Sequence, residues 1–270
     1  KIKIIGDKSL SKRDFSRVTK PLTKFGVKFY SDKNTLPILM KGSNNPKSID
    51  YHETRGSAQC KSSIMYAALK SKGLTKIKAK KSRDHTESIF KYLNVPMQIK
   101  KTKNYDFISI KGTNKLNPLN YKIPGDISSS AFFIVLTILS KNSKLLIKNV
   151  NINPSRTGVI KILQKMGASI NVINKKIYKG EKIGDILVKS SQNLKSIRCP
   201  AMYNSSAIDE FLVIWLVAAK SKGISYFKNL SELNQKESPR LKWGSKILNK
   251  MGIKTITTAD SIAIYGNPNL

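Results

Sequence analysis

The chain has 270 residues, 40 % of them apolar, which is long enough for two hydrophobic cores and normal for a soluble globular protein. Its 50 lysines and arginines against 16 acidic residues give a formal charge of +34, yet the lysines run from end to end. A basic tail or nucleic-acid groove concentrates its charge and interleaves aromatics, so neither is expected, and small anions are what such a field attracts. Cys60 and Cys199 are isolated and only His52 and His85 could assist them, which excludes a zinc site and a disulfide framework and fits a reducing compartment, the cytoplasm. The longest apolar runs, AFFIVLTIL and FLVIWLVAA, fall short of the roughly 20 residues that a membrane span needs and read as buried core helices.

In chain order, KIKIIG (1–6) alternates like a strand and looks like the interior of something longer. An amphipathic helix follows in SRVTKPLTKFG (16–26), then strands in VKFYS (27–31) and LPILMKG (36–42). A small-residue turn leads to a helix in SAQCKSSIMYAALKSKG (57–73) and a strand in LTKIKAK (74–80). Next come the helix ESIFKYLNV (87–95) and the strands PMQIKK (96–101) and FISIKG (107–112). The order then recurs with SSSAFFIVLTILSKN, SKLLIKNV, GVIKILQKMG, ASINVIN and DILVKS. It recurs again with AIDEFLVIWLVAAKSKG, ISYFKN, GSKILNKMG, IKTITT and SIAIYG. Helices are read from the 3.6-residue period and glycine stops, strands from alternation and β-branched content. The repeat is β-α-β-α-β-β, about 70–85 residues long by the spacing of Gly26, Asn94, Gly167 and Gly252.

Superposing the repeats exposes a second pattern. Four of the seven arginines, Arg13, Arg83, Arg156 and Arg240, fall just before or inside the amphipathic helix. A helix N-terminus offers unpaired N–H groups and a positive dipole end, so an arginine there makes an anion site. The bidentate fork is something lysine cannot supply, which explains arginine in a chain that otherwise prefers lysine.

The segments GDKSLSKRDFSRV, GSAQCKSS, SRDHTE, PGDISSSAFF, NPSRTG, IDEF and KESPRL stand in the order found in the EPSP synthase family, and the chain resembles that family over nearly its whole length. The resemblance implies an α/β fold of two domains built from repeated β-α-β-α-β-β units, as in enolpyruvyl transferases, with the active site in a cleft between them. The crossover is expected near NYKIPGD (120–126), giving a first domain over 1–122 and a second over 123–270, each incomplete. The family's N-terminal KS…R motif and C-terminal DHR segment are not among these residues, so the chain reads as a middle portion, inert on its own. Truncated repeats are expected to leave strand edges and apolar helix faces exposed.

Residue by residue, Ser57, Ala58 and Gln59 match a loop that contacts shikimate 3-phosphate, and Ser57 is also a natural helix N-cap. Ser82 and Arg83 match a second phosphate contact. Asp84 and Glu87 have capping-box spacing and, with His85, read as structural. Arg13 matches an arginine that grips phosphoenolpyruvate, with Asp14 where the family usually has proline. Asp209 matches the acid that contacts the reacting 5-hydroxyl and would open the apolar helix, where its charge suits the dipole. Glu210 is expected to face solvent or cap. Lys236, Glu237 and Arg240 resemble the segment facing phosphoenolpyruvate, with Pro239 in place of aspartate and Asn234 in place of arginine. Proline suits a first helical turn, so a helix is expected from near Ser238.

The implied reaction is enolpyruvyl transfer from phosphoenolpyruvate to the 5-hydroxyl of shikimate 3-phosphate by addition and elimination. Asp209 would act nearer the hydroxyl and Glu237 in proton transfer to the methylene, while Lys236, Arg13 and Arg240 neutralise phosphate and carboxylate. No metal or organic cofactor, nucleic-acid partner or membrane is implied, and the complete protein is expected to be a monomer. Two alternatives remain at this point: an enolpyruvyl transferase acting on a UDP-sugar, against which SRDHTE and KESPRL speak, and a non-enzymatic polyanion-binding protein, supported only by charge.

Overall fold

Alternating runs become strands and 3.6-periodic runs become helices in the order expected, and the result is an α/β protein. The computed structural model describes residues 1–31, 33–235 and 238–270, in two compact units, Lys1–Asn120 and Tyr121–Leu270.

In the first unit, β1 (Ile2–Ile4), α1 (Ser16–Lys24), β2 (Lys28–Tyr30) and β3 (Ile38–Lys41) close an antiparallel sheet in the order β1-β3-β2. A full repeat follows: β4 (Asp50–Glu53), α2 (Ala58–Ala68), β5 (Leu74–Lys80), α3 (His85–Tyr92), β6 (Met97–Lys101) and β7 (Tyr105–Lys111). Its sheet runs β4-β5-β7-β6, with β4 parallel to β5 and every other pair antiparallel. Alternation along β5 and β7 turns Ile77, Ala79, Ile108 and Ile110 inward, where they meet Ile64, Met65 and Ala68 of α2, Phe90 of α3 and Phe25. The strand β4 lies where the sequence reading has only a turn. Its DYHE sequence carries no apolar alternation, and parallel pairing to β5 is what makes it a strand.

The second unit uses the same plan twice. The elements α4 (Ile127–Leu139), β8 (Lys144–Asn151), α5 (Gly158–Lys165), β9 (Ser169–Tyr178) and β10 (Glu181–Lys189) give a sheet ordered β8-β10-β9. Then α6 (Phe211–Ala219), β11 (Gly223–Phe227), α7 (Arg240–Lys250), β12 (Thr255–Thr257) and β13 (Ile262–Gly266) give β11-β13-β12. The opening strand of each repeat is reduced to isolated parallel bridges, Gly125 to Val150 in one and Lys195 to Lys222 and Arg198 to Tyr226 in the other. Phe211, Trp215 and Phe227 form the aromatic centre of this core, ring centroids 5.9–6.3 Å apart.

The apolar helices differ in cover. Most of α6 is buried, whereas α4 packs through Ile127, Ala131, Ile134, Val135 and Ile138 and leaves Phe132, Phe133 and Leu136 at least 60 % exposed. The reading of AFFIVLTIL as a buried core helix therefore holds for one side of the helix and is corrected for the other. Its neighbours α6, β8 and β10 cover one side of a helix that is apolar all round. No helix among the described residues is long and apolar enough to cross a membrane.

Glycine closes the repeat at one recurrent point. After β7 the chain crosses the C-terminal end of α2, where Thr113 N–H donates to the Leu69 carbonyl at 2.9 Å. After β13 it crosses α6, where Asn267 N–H donates to Ala219 at 2.7 Å. A Cβ on Gly112 would collide with the Ser71 carbonyl oxygen, and one on Gly266 with that of Ser221. Both obstacles are backbone and neither can swing aside. Gly112→Ala should therefore destabilise the fold by about 1–3 kcal/mol or more, the cost of overpacking a filled site. Urea midpoints of the full-length protein measure this, and an unchanged midpoint would contradict it.

Candidate active site

Parallel pairing of β4 with β5 aims both strands the same way, so α2 and α3 begin at the same sheet edge. Ligands of open α/β sheets bind outside the carboxyl ends of such strands. Here the loop ahead of α2 is folded by Glu53, whose buried carboxylate accepts from Arg55 N–H at 2.9 Å and Gly56 N–H at 2.8 Å. Gly56 has φ +74°, and a Cβ on it would sit 3.2 Å from the Lys81 carbonyl oxygen, so the two loops touch. Lys81 is itself paired with the buried Asp106.

This edge carries the first group of expected residues. Ser57 caps α2, its Oγ accepting from Cys60 N–H at 3.2 Å, and Ala58 and Gln59 open the helix. Ser82 and Arg83 follow β5, and the Ser82 hydroxyl is buried without a hydrogen-bond partner among the described residues. That is an unmet polar group beside two helix N-termini, a good place for an anion's oxygens.

The capping box expected of Asp84 and Glu87 does not form. Asp84 makes no side-chain cap and pairs instead with Lys101 at 2.9 Å. Glu87 turns inward to Lys61 of α2, with Nζ 2.5 Å from Oε1 and both side chains almost wholly enclosed. A buried ammonium needs a counter-charge more than a helix-end amide needs one particular cap. Burial outweighs the attraction of Lys61 and raises the Glu87 carboxyl. Beside this pair, the Ser62 and Thr86 hydroxyls are hydrogen-bonded at 2.7 Å. Neither tie was apparent from the sequence; the one signal was a lysine near the start of a helix that otherwise carries no charge.

Arg13 lies exposed between the 3₁₀ turn Leu10–Lys12 and α1. Asp14, in place of the usual proline, accepts from Ser16 Oγ at 2.6 Å and Ser16 N–H at 2.8 Å. These two bonds hold its carboxyl below the ordinary value, and they tie Asp14 to the start of α1.

In the second unit the arginine slot is answered by aspartates. Arg240 Nη1 donates to Asp209 Oδ1 at 3.0 Å, both side chains about a quarter exposed. One repeat earlier, Arg156 Nη2 donates to Asp126 Oδ1 at 2.8 Å and to Ser128 Oγ at 2.5 Å. Asp126 caps α4 by accepting from Ser129 N–H at 3.3 Å. Ser128 donates in turn to Glu210, which is buried and makes no cap at α6, so the expectation of a solvent-facing or capping Glu210 is corrected. Asp209 lies in the loop two residues ahead of α6 and does not open the helix. Arg240 is the first residue of α7, while Pro239 stays outside it with ψ 80°, not in its first turn as expected. Lys236 and Glu237 lie outside the described residues. Burial pushes both thiols, Cys60 and Cys199, up to about 11, which makes them poor nucleophiles at neutral pH.

The family model of EPSP synthase (3-phosphoshikimate 1-carboxyvinyltransferase) matches residues 1–269. The chain belongs to the EPSP synthase family. The 3-phosphoshikimate 1-carboxyvinyltransferase of Petrotoga mobilis is 40 % identical over 271 residues, covering 99 % of this chain and 62 % of that protein. That of Caldicellulosiruptor saccharolyticus is 39 % identical, over 97 % of this chain and 61 % of that protein. The chain thus spans about three-fifths of the length of these curated relatives. An EPSP synthase structure from Acinetobacter baumannii superposes with TM-score 0.85 and 38 % identity over 98 % of this chain and 59 % of that one. The enolpyruvyl transferase NikO of Streptomyces tendae, at 13 % identity and TM-score 0.69, shares the fold.

Asp126 gives this EPSP synthase-type unit a pH signature. Burial alone would raise its carboxyl, but the Arg156 guanidinium and the N–H groups of Ser128 and Ser129 outweigh it and hold the group below its ordinary 3.8. A depressed native value adds stability above the unfolded value and loses it as pH falls through the native one. Asp126→Ala should cost about 1 kcal/mol at pH 7, mainly the lost cap, since half the side chain is exposed. Thermal melts at pH 7 and pH 3 should show that deficit narrowing in acid. A deficit that widens in acid would contradict the assignment.

Proposed function

We propose that the protein to which this chain belongs transfers the enolpyruvyl group of phosphoenolpyruvate to the 5-hydroxyl of shikimate 3-phosphate, releasing inorganic phosphate. The family match over residues 1–269 is the observation that carries this reading. The Ser82 hydroxyl, buried ahead of α3 with no hydrogen-bond partner among the described residues, and the capped start of α2 support it.

In this reading Ser57, Ala58, Gln59, Ser82 and Arg83 hold the phosphate and ring of shikimate 3-phosphate. Two hydroxyls, helix-end N–H groups and a guanidinium give a dianion both charge and directed donors. Asp209 takes the proton of the attacking hydroxyl, and its ion pair with Arg240 fixes the carboxylate's direction. Glu237 delivers a proton to the methylene carbon, making it a methyl group, and the tetrahedral adduct then collapses as a methyl proton returns to Glu237, the double bond re-forms and phosphate leaves with the proton that Asp209 had taken. Arg13, Lys236 and Arg240 offset the charge of phosphoenolpyruvate's phosphate and carboxylate. We further infer a cytoplasmic monomer. The UDP-sugar alternative is not favoured, because the matching family model and the curated relatives at about 40 % identity are those of EPSP synthase.

Phosphate release by the full-length protein tests the reading. Asp209→Ala should lower kcat about 10²–10⁴-fold, the usual share of a general base. Arg83→Lys should weaken shikimate 3-phosphate binding about 10- to 100-fold, because a charged hydrogen bond of about 1.5–3 kcal/mol loses its bidentate geometry. The 270-residue chain alone should turn over more than tenfold slower than the full-length protein. No turnover by the full-length protein, with tight and steeply salt-dependent DNA binding instead, would favour the polyanion-binding alternative.

A further inference from the structure

We propose that the buried Lys61–Glu87 ion pair is a positioning element, which locks the first turn of α2 to the first turn of α3 so that Ser57 on one and Ser82 and Arg83 before the other meet the substrate phosphate as a single rigid site. The inference rests on the phosphate-binding reading given above.

The location is specific. Lys61 is the fourth residue of α2 and Glu87 the third of α3, so the pair joins the turns whose N–H groups have no intrahelical partners. The Ser62–Thr86 hydrogen bond joins the same two turns, and the loops ahead of them run so close that a Cβ on Gly56 would sit 3.2 Å from the Lys81 carbonyl oxygen. Two ties and this close backbone approach at one edge leave the helix ends little freedom to slide or splay.

Stability does not account for the pair. Lys61 is 0 % exposed and Glu87 4 %, so both charges have left water. The ammonium approaches at 2.5 Å but off the hydrogen-bonding direction, and the remaining donor and acceptor capacity of Nζ, Oε1 and Oε2 is unmet among the described residues. A pair of this kind is commonly no more stabilising than well-packed apolar residues of the same volume. Two methylenes packed in its place would tolerate many lateral offsets, whereas two opposite charges in a low dielectric lose attraction steeply as they are drawn apart. The pair is also neutral as a whole. It fixes geometry without setting a negative charge against the incoming phosphate, as an unpaired Glu87 would.

The experiment compares the full-length protein with Lys61→Met/Glu87→Met, which replaces both charges by chains of similar volume. Thermal melts check folding, and calorimetric binding of shikimate 3-phosphate is read beside the KM for phosphoenolpyruvate. The double variant should keep its melting temperature within a few degrees. It should bind shikimate 3-phosphate at least tenfold more weakly, while the KM for phosphoenolpyruvate moves less than threefold. Ser62→Ala/Thr86→Val removes the neighbouring tie without burying a charge and should weaken the same binding about threefold. A folded Met/Met variant with unchanged binding overturns the proposal. If Met/Met fails to fold, unchanged binding by the Ser62/Thr86 variant overturns it instead. Failure of the unmodified protein to bind shikimate 3-phosphate would sink the functional reading itself, and is distinguishable because it appears before any substitution.

Discussion

Two neighbouring parallel strands cannot be joined by a hairpin, and that constraint organises the repeat from β4 to β7, with isolated parallel bridges marking the same crossover in the second unit. The chain must leave the first strand, cross over as a helix and re-enter beside it. Both helices of the repeat therefore start at one edge, as α2 and α3 do beyond β4 and β5. Loops at that edge carry the polar residues, while alternation along the strands buries Ile77, Ala79, Ile108 and Ile110 behind them. The last strand runs antiparallel and leaves across the far end of the apolar helix, where Gly112 and Gly266 accept backbone contact that no side chain could. Chemistry at one end and close packing at the other thus follow from one pairing.

Charge is handled differently at the surface and at the edge. Most of the lysines contributing to +34 are solvated and diffuse. At the helix starts, by contrast, cations are matched individually: Arg240 with Asp209, Arg156 with Asp126 and Ser128, Lys61 with Glu87. Arg156 and Arg240 hold the same position in successive repeats, and each grips the aspartate ahead of the apolar helix. The repeated arginine slot thus binds carboxylates of the protein itself in the second unit, as well as offering charge to ligands in the reading proposed. Matching of this kind keeps a strongly cationic chain from presenting indiscriminate charge where direction matters.

Much of this was legible in the sequence because periodicity reports on burial. The strand expected over 74–80 is β5 itself, and the helix expected in SAQCKSSIMYAALKSKG is α2 with its serine cap. What escaped was set by long-range partners. DYHE becomes β4 only because β5 lies beside it, and Glu87 abandons a local cap because Lys61, 26 residues earlier, is buried facing it. Pro239 falls outside α7 because its ψ of 80° is not helical, and the exposed side of α4 depends on which neighbours cover it. Among the expected site residues, Ser57 and Ser82 lie on one edge by local logic, whereas the Asp209–Arg240 pairing needed the fold to be found.

In the function proposed, the sheet edge where α2 and α3 begin together binds the phosphate of the acceptor substrate. A crystal structure of the full-length protein with shikimate 3-phosphate bound tests it most directly. Phosphate oxygens are expected within about 3 Å of the Ser57 and Ser82 hydroxyls and of the Arg83 guanidinium, at hydrogen-bonding distance. A phosphate seated elsewhere, with the Ser82 hydroxyl still unpartnered, would contradict it.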